Sequence, residues 1–267
     1  MEIKKVSIVI RNKNEASALE NILSIITKVY FDDYNEIIIV DNYSTDNSVA
    51  VAEKYKCRVI FIEDFSYGRA TNLGIEMAVS RYVLLLSSHA IPIGKSFFKN
   101  TVDALNSIEN VAGIRYVNSI ENYKRAIKNN FLVVEPLKQG LMTGCALVNK
   151  MVWEQFKFDE VLPFSEDKEW SERVVNNGHL ILDLNETFFY FIRRDLNSSL
   201  SRFKNETISE YLLHNKKFSN PISIATSFLK KVFFTNTKKY FTTLWFDILI
   251  LKAKIEIYKE LNKHNKI

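Results

Sequence analysis

"EIIIVDNYSTDNS", residues 36–48, carries the pattern that decides the fold. Ile37 to Val40 form a short run of branched aliphatic residues with no polar alternation. Side chains along a strand point to opposite faces in turn, so such a run is a strand buried on both sides. It ends at Asp41-Asn42. Ser44, Thr45 and Asp46 follow, whose side-chain oxygens can accept from the free amides of a helix start. A buried strand, a polar tip and a capped helix together make the first half of a βαβ unit.

The same pattern recurs to either side. "VSIVI" (6–10), "RVIFI" (58–62) and "YVLLL" (82–86) are further apolar runs, and helical spacing fills 16–29, 46–56 and 68–80. Short continuous strands alternating with helices predict an α/β fold: a mainly parallel, Rossmann-like sheet flanked by helices. Each run stops at polar residues: Arg11-Asn12, Asp41-Asn42, Glu63-Asp64 and Ser87-Ser88-His89. Ligands of open α/β sheets sit outside the carboxyl ends of the strands, so four polar tips in succession outline one site. Polar residues also end strands simply because loops are wet; Asp41 and His89 together argue for more than that. Beyond residue 100, "AGIRYV" (112–117), "ALVNK" (146–150) and "HLILDL" (179–184) read as strands. A helix from Glu166 to Asn177 stops at Gly178.

With 267 residues, 47% of them hydrophobic, the chain can bury a substantial core. Its two cysteines, Cys57 and Cys145, make no disulfide framework and lack the spacing of a zinc site, which fits a reducing, cytoplasmic setting. The first residues lack the apolar core of a signal peptide, and no window is apolar enough to span a bilayer. The net charge of +5 is uneven. From Lys216 onward there are eleven lysines against Asp247, Glu256 and Glu260, a surplus of eight that leaves the first 215 residues at −3. The expected division is therefore a catalytic domain over 1–215 and a basic helical extension over 216–267. The acidic balance of the body argues against nucleic acid as a partner.

Four blocks in order resemble the family 2 glycosyltransferases of GT-A fold: "SIVIRNKNEA", "EIIIVDNYSTDNS", "FSYGRATNLGIEMA", and "TGCALVNKMVWEQFKFDEVLPFSEDKEWSERVVNNGH". Tyr67-Gly68-Arg69-Ala70-x-Asn72 followed by Ser87-x-His89-Ala90 is similar to a bacterial, rhamnosyltransferase-like subgroup. The resemblance implies inverting transfer of a hexosyl or deoxyhexosyl group from a nucleoside diphosphate donor to a hydroxyl. The acceptor would be a glycan or lipid-linked glycan, in capsule or O-antigen assembly. It implies that Asp41 holds the nucleotide, with Asn14 and Glu15 on the first loop, and Arg11, Arg69, Asn72, Ser87, Ser88 and His89 completing the nucleotide-sugar side. Thr143, Gly144, Glu166 and Trp170 fall on the acceptor side.

Asp167 is the expected base. A base must lie within hydrogen-bond reach of the acceptor hydroxyl, and apolar neighbours such as Pro163, Phe164 and Trp170 favour its basicity. The plainer alternative has Ser165 as a helix cap, with Glu166 and Asp167 merely favourable acids in the first turn. Glu15 admits the same first-turn reading.

Ser87-Ser88-His89 stands where the family has Asp-x-Asp, whose last carboxylate binds Mg2+ or Mn2+. Imidazole suits Mn2+ better than Mg2+, so His89 is the metal candidate, with the donor's phosphates, or a second protein ligand such as His179 or Asp64, completing the site. The alternative is metal-free offset of diphosphate charge by Arg69 and Arg193-Arg194. A nucleotidyltransferase is disfavoured because "IRNKNEASAL" contains no glycine to cradle phosphate. A catalytically inactive sugar-nucleotide-binding module is the reading that the missing aspartates suggest. The tail, with Phe, Tyr, Trp and Leu among lysines, suits the inner face of an anionic membrane, or a cap or dimer interface.

Overall fold

A computed structural model describes residues 5–192 and 195–264 of the chain. Arg193 and Arg194 lie outside the described residues. The chain divides into two compact units, 1–215 and 216–267.

The first unit opens with β1 (Val6–Asn12), α1 (Ala16–Val29), β2 (Tyr34–Asp41), α2 (Ser48–Lys54), β3 (Arg58–Phe61), α3 (Tyr67–Met77) and β4 (Tyr82–Ser87). It continues with β5 (Ala90–Pro92), α4 (Phe97–Ser107), β6 (Val111–Tyr116), α5 (Ile120–Lys128), α6 (Pro136–Gln139), β7 (Cys145–Asn149) and α7 (Lys150–Trp153). α8 (Glu166–Asn176), β8 (Leu180–Leu184), β9 (Phe188–Tyr190) and α9 (Leu196–Leu213) close it. Seven strands form one sheet in the order β3-β2-β1-β4-β7-β6-β8. β7 runs antiparallel to both neighbours and the other pairings are parallel. β5 and β9 pair as a small separate ribbon.

The continuous apolar runs are buried on both faces. Ile8, Ile10, Ile37, Ile39, Leu84 and Leu86 join one core with Leu19, Ile22 and Ile26 of α1. Val9, Ile38, Val40, Val83 and Leu85 face the other, against Ile75 of α3 and Trp170 and Val174 of α8. Glycine sets how closely α3 packs: a Cβ at Gly68 would stand 1.9 Å from the carbonyl oxygen of Asp159, and one at Gly74 2.3 Å from Val9. Trp170 belongs to this core. It is fully buried, stacked on Phe158 with ring centroids 5.0 Å apart. The acceptor-side role expected for it is corrected, since it has no open face to offer a substrate.

The second unit holds α10 (Pro221–Lys230), a π-helical stretch at Lys231–Asn236 and α11 (Thr237–His264). Asn220 caps α10 by accepting from the Ser223 amide at 2.8 Å, and Pro221 fills the first helical position. None of its large apolar side chains from Ile222 to Leu251 is buried. Among the described residues, no helix is long and apolar enough to cross a membrane.

Candidate active site

The carboxyl ends of β1 and β4 open into a cleft of about 1110 Å³. β9, the loop before β7, the first turn of α8 and one side of α9 complete its walls. Of the residues expected in the site, Arg11, Glu15, Ser87, Ser88, His89, Thr143, Gly144, Glu166 and Asp167 line it together. These come from positions up to 156 residues apart, as a switch point between strands requires.

The loops after β1 and β2 are stapled to one another. Asp41 is wholly buried: Oδ1 accepts from the Ser44 amide at 2.7 Å, and Oδ2 from Asn12 Nδ2 at 2.8 Å and Ser44 Oγ at 2.7 Å. Three donors hold its carboxylate in the loop, and Asp41, expected to contact the nucleotide, is not among the residues that line the cleft. Asn42, the next residue, lines the cleft instead. Asn14 is likewise a staple. It sits at φ 52°, accepts from the Thr45 amide at 2.7 Å and does not line the cleft. Asp46 accepts from the Ser48 amide of α2 at 3.0 Å and from the Ala16 amide of α1 at 2.9 Å.

Asn72 is also corrected. Its Nδ2 donates to Phe158 O and Glu160 Oε1, both at 2.9 Å, while its Oδ1 accepts from Trp153 Nε1 at 2.8 Å and the Phe158 amide at 3.0 Å. All its hydrogen-bonding capacity clamps α3 to the 153–160 segment. Arg69 is spent on Asp64 and Glu160, at 3.5 and 3.3 Å, outside the cleft. Neither is placed to meet a diphosphate. Among the described residues, the cations that line the cleft are Arg11, Lys13, Lys168 and Arg202. Lys13 and Arg202 escaped the sequence reading: Lys13 adjoins the strand tip already singled out, whereas nothing in the α9 sequence marks Arg202.

At the tip of β4, His89 Nε2 stands 3.3 Å from Glu15 Oε1, and Ser87 Oγ accepts from the His89 amide at 3.3 Å. Glu15, and neither Asp64 nor His179, is the acid beside His89. Asp64 is paired with Arg69, and His179 packs edge-on to Phe156 at 6.0 Å.

Asp167, which also lines the cleft, is half-buried. Its Oδ2 accepts from the Thr143 amide at 3.4 Å and its Oδ1 from the Lys168 amide at 2.8 Å. Ser165 does not cap α8. It sits in the left-handed region at φ 63° with no capping bond, whereas a capping serine takes extended backbone. Glu166 is buried, 3.3 Å from Arg11 Nη1 and 3.1 Å from Thr143 Oγ1. Burial pushes its carboxyl above the ordinary value, Asp167's charge adds to this, and Arg11 opposes it.

Residues 7–162 match the family model described as glycosyl transferase family 2. The chain belongs to that family. Its fold is the GT-A fold. The mannosyltransferase PcManGT from Pyrobaculum calidifontis, solved with GDP-Man and Mn2+, superposes with a TM-score of 0.60 at 16% identity. The match covers 81% of this chain and 66% of that one, just under two thirds of its length. Glucosyl-3-phosphoglycerate synthase from Mycobacterium tuberculosis, solved with Mn2+ and UDP-glucose, gives a TM-score of 0.58 at 18% identity over 78% of each chain. Such identities speak for the fold alone. No curated protein matches the chain. The family match ends before Asp167, so the base rests on geometry.

The donor set fits a resident divalent ion poorly. Among the described residues, no three His, Cys, Asp or Glu side chains gather to hold one. His89 and Glu15 offer one nitrogen and one carboxylate, where hard cations want six or more oxygens.

Proposed function

We propose that the chain is an inverting glycosyltransferase in which Asp167 deprotonates the acceptor hydroxyl. The acceptor oxygen attacks the anomeric carbon from the face opposite the diphosphate. Its proton passes to Asp167, and the bond from that carbon to the diphosphate oxygen breaks, the electron pair leaving with phosphate. His89, oriented by Glu15, donates to the departing diphosphate from the other wall, and Lys13 adds fixed positive charge nearby. The observation that supports this reading is that Asp167 and His89 line one cleft, with the Thr143 amide holding the carboxylate. Ser-x-His in place of two acids, and the Tyr-Gly-Arg-Ala-x-Asn segment, favour a deoxyhexosyl or hexosyl donor and a role in capsule or O-antigen assembly.

The acceptor in this reading is a lipid-linked glycan, which the basic tail would meet at the inner face of an anionic membrane. Its eleven lysines supply the complementary charge, and exposed Phe228, Phe233, Phe234, Phe241 and Trp245 the apolar contact.

The test is transfer and donor binding measured on the same preparations. Asp167→Ala abolishes transfer, a loss of about a thousandfold or more, while nucleotide affinity stays within about threefold. A chelator leaves that affinity unchanged. Equal loss of transfer and binding in Asp167→Ala would remove Asp167 as the base.

A further inference from the structure

We propose that Arg11 and Glu166 are positioning residues for Asp167: their buried pair fixes the α8 turn that carries the base. This rests on Asp167 being the base.

One guanidinium ties four segments. Arg11 Nη1 donates to Tyr67 O at 3.4 Å, Thr71 Oγ1 at 3.0 Å and Glu166 Oε1 at 3.3 Å. Its Nη2 donates to Thr143 Oγ1 at 3.2 Å and Thr143 O at 3.4 Å. The Tyr67 ring lies 5.3 Å from the guanidinium carbon. The tip of β1, the start of α3, the loop before β7 and the start of α8 are thereby joined at one side chain.

The pair is out of water, with side-chain exposures of 14% for Arg11 and 5% for Glu166, so it is not screened as a surface pair is. Thr143 is the shared member. Its hydroxyl and carbonyl are held by Arg11, its hydroxyl donates to Glu166, and its amide donates to Asp167. A displacement of Arg11 or Glu166 is therefore passed directly to the base. Ser165 is left-handed and makes no side-chain capping bond, and a strained residue persists only where its surroundings hold it. Both terminal nitrogens of Arg11 are engaged within the protein. Displacement of a reacting group by about 1 Å costs on the order of a hundredfold in rate.

Four variants of the full chain test this: Glu166→Gln, Arg11→Met, Arg11→Lys and Arg11→Met with Glu166→Gln. Turnover is measured with nucleotide sugars, binding by calorimetry with UDP, GDP and dTDP, and melting alongside. Glu166→Gln, which preserves shape, and Arg11→Met each lower kcat about tenfold to a hundredfold, with nucleotide affinity within about threefold. Arg11→Lys does not restore turnover, since an ammonium cannot reproduce the planar fork. The double variant melts above Arg11→Met, having no lone buried carboxylate, yet stays slow.

The split between kcat and nucleotide affinity, read beside the melting point, separates positioning from mere stability. A positioning role lowers kcat in Glu166→Gln while nucleotide affinity holds; a purely structural role lowers the melting point and affinity together with kcat. Full turnover in Glu166→Gln, or nucleotide affinity falling in step with kcat, overturns the proposal. If Arg11→Met does not fold, Glu166→Gln decides alone. Asp167→Ala in the same assay isolates the premise: turnover retained there sinks the base, whereas turnover lost there but intact in Glu166→Gln sinks only the positioning role.

Discussion

Glu166 makes folding sensitive to pH because it keeps its proton above the ordinary glutamate value of 4.5. Burial is the main cause, Asp167's charge comes next, and Arg11 pulls the other way. The folded chain thus holds a proton that the unfolded chain has already released. Its contribution is fully present below 4.5 and is lost as pH rises through the raised value. In Glu166→Gln this dependence flattens, so over the window that opens at 4.5 the melting point falls less steeply with rising pH than the parent's. A parent whose melting point rises relative to the variant across that window contradicts the assignment. Neighbouring residues show how little residue type alone reveals. Glu166 and Asp167 are adjacent acids in one turn, yet one is buried against Arg11 and the other is half-buried.

Among the elements, β6, β8 and α5 are joined by another buried charge cluster. Arg125 Nη2 lies 2.9 and 3.1 Å from the two oxygens of Asp183, and Arg115 Nε 3.7 Å from the nearer one. The Asp183 side chain is fully buried. Burial brings Arg115 down to about 10, with Arg125's like charge the next cause. Asp183→Ala leaves two guanidinium groups without their counter-charge and costs about 3–5 kcal/mol, read from the denaturant midpoint. A loss under about 1 kcal/mol refutes the coupling. Element positions were legible from periodicity: α1 spans 16–29 as its spacing predicts, and α8 ends just before Gly178 at φ 83°. β5 and β9 were not, because three-residue strands carry too few positions for a pattern, and their pairing joins residues 90 and 190.

For the molecule as a whole, the open question of partners centres on the tail. Ile248 to Leu251 follow one another on α11, and at 100° per residue they point to every side of the helix. On the proposed membrane reading, this apolar turn would enter the interface and the lysine surplus would favour an anionic bilayer. The full chain should float with vesicles containing anionic lipid and stay behind with neutral ones. Replacing Lys230, Lys231, Lys238 and Lys239 by alanine weakens partitioning about fivefold per lysine, and raised salt does the same. Equal partitioning on neutral vesicles, or a concentration-dependent dimer with no vesicle binding, rejects the membrane and favours a second copy.

Strand runs, helix spacing and polar tips lie within short windows, so the sequence by itself determined an α/β sheet and the edge at which its site opens. Which tip residues face that site was decided only by tertiary contacts. Asp41 turns away toward Asn12 and Ser44, Asn72 is claimed by Trp153 and Phe158, and Arg11 is drawn to Glu166. Each of these polar groups is satisfied by at least one partner 29 to 155 residues distant along the chain. A buried hydrogen-bonding group must find its partner wherever the fold brings one, and no local pattern records that choice.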